Sequence, residues 1–251
     1  MKQFGKYLIP ILLIWLLLGC QPETELISFE TPQLLLIGIP SGLSIQDSDA
    51  LIDCADSIGN TTLFFKKYLE PYPDPEVYNL LIWHGNPSYY TPLLKEKIIT
   101  YDIRSEEIVL IVSNQNKLSS LPLADMRLIF SGQIQDWSEL PESTLSGPIS
   151  LYVYYQEHPI RLVFEDTFLD GMSTSTHALI IPSQSMAIKE VGKNKLGLSY
   201  IIRSKADTST RLLPVSGTQI KSTFSVLGII QEDQATQISP LLECYLNHAN
   251  R

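Results

Sequence analysis

The chain has 251 residues, of which 44% are hydrophobic and 18% charged, and a formal net charge of −9 at pH 7. That balance excludes a disordered chain, and the length suits one large domain or two small lobes. The acidity argues against nucleic acid as a partner, because affinity for phosphate backbones rests on Lys and Arg.

Lys2 and Lys6 precede an apolar run over residues 7–18, which is too short to span a bilayer comfortably and reads as an export signal. The run ends in Leu17-Leu18-Gly19-Cys20, which resembles the bacterial lipobox. That resemblance implies a signal peptide over 1–19 and a lipid on Cys20 as the first mature residue. The alternative, an uncleaved N-terminal anchor, also leaves the folded part tethered outside the cytoplasm. Losing two lysines and no acid takes the net charge from −9 to −11. Residues 20–32 are polar, acidic and broken by Pro22 and Pro32, as expected of a linker.

The fold is expected to begin near Leu34 with an apolar strand over 34–39, then Pro40-Ser41-Gly42 as a turn. Asp47 or Ser48 can cap a helix with Ala50, Leu51, Cys54 and Ile58 on one face, ended by Gly59-Asn60. Residues 61–68 fit a strand or a short helix, and the prolines at 71, 73 and 75 stop either. A buried strand follows over 78–83, closed by Gly85-Asn86-Pro87, and the β-branched run 108–112 is the strongest strand signal in the chain. A short helix over 123–130 has Gly132 just past its end. Further on the pattern predicts a strand over 149–155 and a helix over 161–169. A helix over 186–193 capped by Ser185 comes next, followed by strands over 196–202, 212–215 and 223–230. A last helix covers 237–247. Strands alternating with helices predict an α/β fold with a mainly parallel or mixed sheet.

Two thiols besides Cys20, Cys54 and Cys244, either pair in an oxidising compartment or stay apart as buried thiols; spacing alone does not decide. No CxxC or HExxH occurs, so neither a metal site nor a cofactor is expected.

The segment 106–140 resembles the phosphate-binding proteins of ABC importers, in the type 2 periplasmic binding protein superfamily. The matches are the strand 108–112, a turn at 114–116, the helix 123–130, and then Gly132, Ile134 and Trp137. Residues 185–191, followed by Leu196-Gly197-Leu198-Ser199-Tyr200, are similar to that family's helix and "G-I-G-Y" strand. Leu212-Leu213-Pro214-Val215-Ser216-Gly217 is similar to its "L-V-x-G" segment. The resemblance is specific over roughly 100–220 and implies two α/β lobes with mixed sheets joined by two hinge strands. Lobe 1 would comprise 33–107 plus 203–251, and lobe 2 with the hinge strands 108–202. Both Cys54 and Cys244 then fall in lobe 1, which favours their pairing, and Trp137 becomes a scaffold residue of lobe 2.

Ligands of such folds sit between the lobes, held by backbone N–H groups and hydroxyls. The family's first anion-binding turn has a counterpart in Ser41, Gly42 and Ser44, which would otherwise merely shape the turn. Its second, "R-x-x-GSGT", falls on Glu157-His158-Pro159-Ile160-Arg161, where Pro159 has no N–H and Glu157 repels an anion. Tyr155, Glu157, His158 and Arg161 there suit a larger or less charged solute. On the lobe 1 side His84 and Asn86 follow a strand end, where α/β folds place ligands. Four scattered histidines (His84, His158, His177, His248) and no G-x-S-x-G make an enzyme the least favoured reading.

The expectation is therefore a membrane-anchored, extracytoplasmic solute-binding protein. It would deliver phosphate or another small solute to an ABC permease. The rival is a lipoprotein of the same fold that has lost the phosphate site and serves as a sensor or interaction module.

Overall fold

A computed structural model describes residues 31–40, 45–68, 73–85, 97–217 and 222–249; for 45–47 and 249 it describes the backbone only. Strand β1 (Gln33–Pro40) leads to helix α1 (Ile45–Ile58) and strand β2 (Thr61–Tyr68). Strands β3 (Leu80–His84) and β4 (Ile98–Ser113) follow, then the short β5 (Leu121–Pro122) and helix α2 (Leu123–Phe130). Strand β6 (Ser150–Tyr154) enters helix α3 (Pro159–Phe164), which continues as a π-helical turn over Glu165–Leu169. Strand β7 (Leu179–Ile181), helix α4 (Gln184–Lys193), strands β8 (Gly197–Ile202), β9 (Thr210–Leu213), β10 (Val215–Ser216) and β11 (Thr223–Gln231), and helix α5 (Ala235–Ala249) follow among the described residues.

The architecture is a mixed α/β fold built on one strand, β4, whose 16 residues serve two neighbourhoods. Its first part pairs antiparallel with β11 from Ile98 to Glu107, and its second pairs with β8 from Ile108 and with β9 from Leu110. The sheet order is β2-β1-β3-β11-β4-β8-β6-β7, with β1, β2 and β3 parallel on one side and β6, β7 and β8 parallel on the other. The strand read over 108–112 is thus the fully buried half of a longer one. Residues 98–107 carry polar side chains and form no apolar run; β11 and a bulge at Val226/Leu227 hold them in the sheet.

Alternation along β3 and β11 explains why both faces are covered. Leu80, Ile82, Val226 and Ile230 join the main core, which runs through both halves of the sheet. Leu81, Trp83, Leu227 and Ile229 point the other way and pack with Tyr68 and Tyr78. On β1, Gly38 is required by this second layer, since a Cβ there would lie 2.7 Å from Leu81 and 2.8 Å from Tyr78 side-chain carbons.

Several element ends differ from the sequence reading. Helix α1 starts at Ile45, so Asp47 and Ser48 lie inside it, and Ile58 is exposed. Helix α4 is capped by Ser183, whose hydroxyl accepts from the Met186 N–H. Gln184 is then free to accept from the Ile202 N–H and tie the helix to β8. The apolar run 212–215 is split at Pro214, which lacks an N–H for a ladder: β9 stays on β4 while β10 pairs with β5.

Trp137 is a scaffold residue. It is fully buried, opens a 3-10 turn and donates Nε1–H to the Leu196 carbonyl at 2.9 Å. Asp136 caps that turn, accepting from Ser138 and Gly147, which holds its carboxyl below the usual range. Gly132, at φ +82°, turns the chain out of α2, and a Cβ there would lie 2.5 Å from Ser175 Oγ. Trp137→Phe removes both the indole donor and ring volume, and is expected to cost about 2–3 kcal/mol. Urea unfolding checks this: the midpoint should fall with the slope unchanged.

Cys54 of α1 and Cys244 of α5 form a disulfide, with Cα atoms 5.7 Å apart across a sequence separation of 190. It ties the first helix of the domain to the last. Among the described residues no helix is long and apolar enough to cross a membrane.

Candidate functional site

The end of β3 meets the start of α3. Every residue of β3 is buried, and Gly85 follows at φ +110° with its N–H on the Ser225 carbonyl. A Cβ on Gly85 would sit 3.0 Å from Val163 Cγ2 of α3, so only glycine lets strand and helix approach this closely.

His84, the last residue of β3, is 3% exposed and packs edge-on against Phe224 at 5.7 Å. Among the described residues neither ring nitrogen has a hydrogen-bond partner. Burial first, then the positive fields of Arg104, His158 and Lys205, hold its pKa down at about 3. The imidazole is therefore neutral near pH 7, with one N–H to donate and one nitrogen to accept. Its surroundings come from strand register: Val226 of β11 lies opposite His84 on one side and Arg104 on the other.

His158 caps α3 and is 1% exposed. Its Nδ1 accepts from the Ile160 N–H at 3.2 Å, while its carbonyl accepts from the N–H groups of Arg161 at 2.9 Å and Leu162 at 3.1 Å. The ring stacks on Tyr154 at 4.3 Å and meets Tyr155 edge-on at 5.1 Å. Burial lowers its pKa to about 4. With Pro159 lacking an N–H, the whole entrance of this six-residue helix is satisfied from within.

Arg161 is engaged by protein acceptors. Its Nε–H donates to Glu165 at 2.7 Å and its guanidinium also to the Tyr154 carbonyl at 2.9 Å, and Thr174 donates to the same Glu165 oxygen at 2.5 Å. Tyr155 is half-buried beside His158, and Glu157 is exposed in the preceding turn. Ser41, Gly42, Ser44, Asn86 and Cys20, the residue expected to carry a lipid, lie outside the described residues.

Behind His158 stands an aromatic wall, to which Tyr154 belongs with Phe164 and Tyr200, and the last two were not read from the sequence as part of a site. Tyr200 of β8 stacks on Phe164 at 3.8 Å, meets Tyr154 edge-on at 5.2 Å and accepts the Tyr154 hydroxyl on its carbonyl at 2.9 Å. Burial pushes both phenols above their ordinary pKa. The structure thus brings together His84, His158 and Tyr155 and adds Phe224 and Arg104. The last two come from strands whose pairing no linear pattern displays.

No protein-family model matches the sequence, and no curated protein matches it. Solved structures do match the fold. A phosphate transport receptor of an ABC system from Vibrio cholerae superposes with a TM-score of 0.64 at 14% identity, over 85% of this chain and 93% of the other. A putative phosphate ABC transporter substrate-binding protein with bound phosphate, from Clostridium perfringens, gives 0.62 at 16% identity, over 86% and 92%. The fold is that of type 2 periplasmic binding proteins. Regulators share it: the reduced OxyR regulatory domain of Pseudomonas aeruginosa gives 0.59 at 12% identity, over 87% and 100%.

Proposed function

We propose that the chain is an extracytoplasmic, lipid-anchored solute-binding protein that hands a small ligand to an ABC importer. In this reading residues 33–107 plus 203–251 and residues 108–202 are two lobes that close about β4 and β8. The carrying observation is His84, a buried imidazole at a strand end in a type 2 fold, with neither nitrogen satisfied among the described residues. A buried polar group left unpaired is costly, and a bound solute removes that cost. The donor N–H and the positive field of Arg104 and Lys205 select an oxygen-rich solute offering acceptors. Phosphate held on the helix entrance is disfavoured, because the N–H groups of Ile160, Arg161 and Leu162 are already engaged. Hydrolysis is disfavoured too: among the described residues neither His84 nor His158 is hydrogen-bonded to a hydroxyl or carboxylate.

Thermal shift against a broad solute library, followed by calorimetric titration, tests this. An acceptor-bearing solute should raise the melting temperature, and His84→Phe should weaken its binding about 10- to 100-fold while the chain stays folded. Inorganic phosphate should bind the unaltered chain weakly or not at all.

The second reading, a sensor or interaction module, is favoured by the same self-satisfied entrance of α3 and by the regulators that share the fold. It displaces the first if no solute in the library shifts the melting temperature. Tight phosphate binding would sink the second reading and the argument from the helix entrance together.

A further inference from the structure

Far from the β3–α3 junction in sequence, α1 and α5 bring three metal-ligating side chains together. The Sγ atoms of Cys54 and Cys244 and a ring nitrogen of His248 all lie within 4.8 Å of one another. His248 stands four residues after Cys244 on α5, so the two share a helix face, and Cys54 faces them from α1. Burial is graded across the set: Cys54 is fully buried, Cys244 partly, and His248 is exposed. The linear sequence hides this set, because its two cysteines are separated by 190 residues and match no spaced zinc motif.

We propose that reduction of the Cys54–Cys244 disulfide converts this cluster into a binding site for a borderline-soft cation, Zn²⁺ in the first instance, with a Cys₂His ligand set. Two thiolates and an imidazole suit that class of ion, and a hard cation would take oxygen ligands instead. A tetrahedral ion with Zn–S bonds of about 2.3 Å places its two sulfurs about 3.8 Å apart. Small side-chain rotations reach that spacing from a cluster already this tight. Ser57 Oγ lies 3.9 Å from Cys244 Sγ and donates to the Cys54 carbonyl, so a hydroxyl stands beside the set.

The chemistry balances with a dithiol as reductant. The dithiol supplies two electrons and two protons, the S–S bond breaks to two thiols, and the reductant closes to its own disulfide. Binding of the ion then releases both thiol protons to solvent, and His248 contributes the lone pair of a neutral ring nitrogen. The oxidised chain has no thiolate to offer, so the site opens only when the disulfide does.

The test uses the untagged full chain in a Cys20→Ser background, with Co²⁺ as the spectroscopic probe and Zn²⁺ as competitor. The reduced protein should take up one Co²⁺ with thiolate-to-metal charge-transfer absorption, Zn²⁺ should bleach it, and the oxidised protein should show none. His248→Ala, an exposed substitution, should weaken binding by more than the ten- to hundredfold typical of losing an outer-shell partner. Absence of the band in the reduced protein, an equal band in the oxidised one, or full affinity in His248→Ala overturns the proposal. Where reduction unfolds the chain, Zn²⁺ should restore its helical signal, and failure to do so overturns it equally.

Discussion

Acidification from about pH 7 to about pH 4 is expected to remove on the order of 5 kcal/mol of folding stability, chiefly through two imidazoles. His84 titrates at about 3 and His158 at about 4 in the folded chain, against 6.5 for an ordinary histidine. Both folded values are depressed, so between 6.5 and the folded values the unfolded chain binds more protons than the native one. Stability is then fully present above about pH 6.5 and drains away as pH falls towards about 3. The physical routes differ. Charging His84 puts a cation beside Phe224 in the field of Arg104 and Lys205, with nothing to solvate it. Charging His158 also puts a proton on the nitrogen that accepts from Ile160, which breaks the cap of α3.

Chemical unfolding at a series of pH values checks the prediction. The lowered carboxyls of Glu107, Asp136 and Asp207 contribute stability that is lost only as pH drops below the usual carboxylate range. The interval from about pH 7 to about pH 4.5 therefore reads the imidazoles. His84→Phe keeps an aromatic ring beside Phe224 and should flatten the slope by about half. A profile that is level across this interval would sink the account of both histidines as buried neutral groups.

The fold was legible where burial is two-sided. The runs 34–39, 78–83, 108–112 and 196–202 are apolar because most of β1 and all of β3, the second half of β4 and β8 are buried, and each run contains a strand. Residues 98–107 escaped notice because their partner, β11, is more than a hundred residues away and their outward side chains are polar. That omission hid Arg104 and with it the register that surrounds His84. The two histidines could be singled out one at a time, as a strand-end residue and a helix-start residue. Their approach depends on sheet order and on Gly85 meeting Val163, which composition and periodicity do not encode. The helix cap was misplaced for a local reason: Ser183 and Ser185 are both competent, and only the pull of Gln184 onto the Ile202 N–H selects the earlier one. The self-capped entrance of α3, by contrast, is partly readable from Pro159, because a residue without an N–H offers no donor whatever surrounds it.

Replacing Cys54 and Cys244 together by alanine is expected to cost about 5 kcal/mol, the chain-entropy value for opening a loop of nearly two hundred residues. The figure is large because the disulfide joins helix α1 to helix α5, so most of the chain lies within the loop it closes. Domains of this kind hold only about 5–15 kcal/mol in total, so the variant should unfold at much lower denaturant. Two readouts separate the entropic cause from simple loss of packing at the buried Cys54. The denaturant slope should rise, because an uncrosslinked denatured chain exposes more surface. Cys54→Ala with Cys244→Ala should also be no less stable than the reduced unaltered chain in chelator, since both lack the crosslink and differ only by two sulfur atoms. If the reduced chain in chelator instead keeps the stability of the oxidised one, then α1 and α5 are held by packing alone, and the crosslink contributes nothing to the fold.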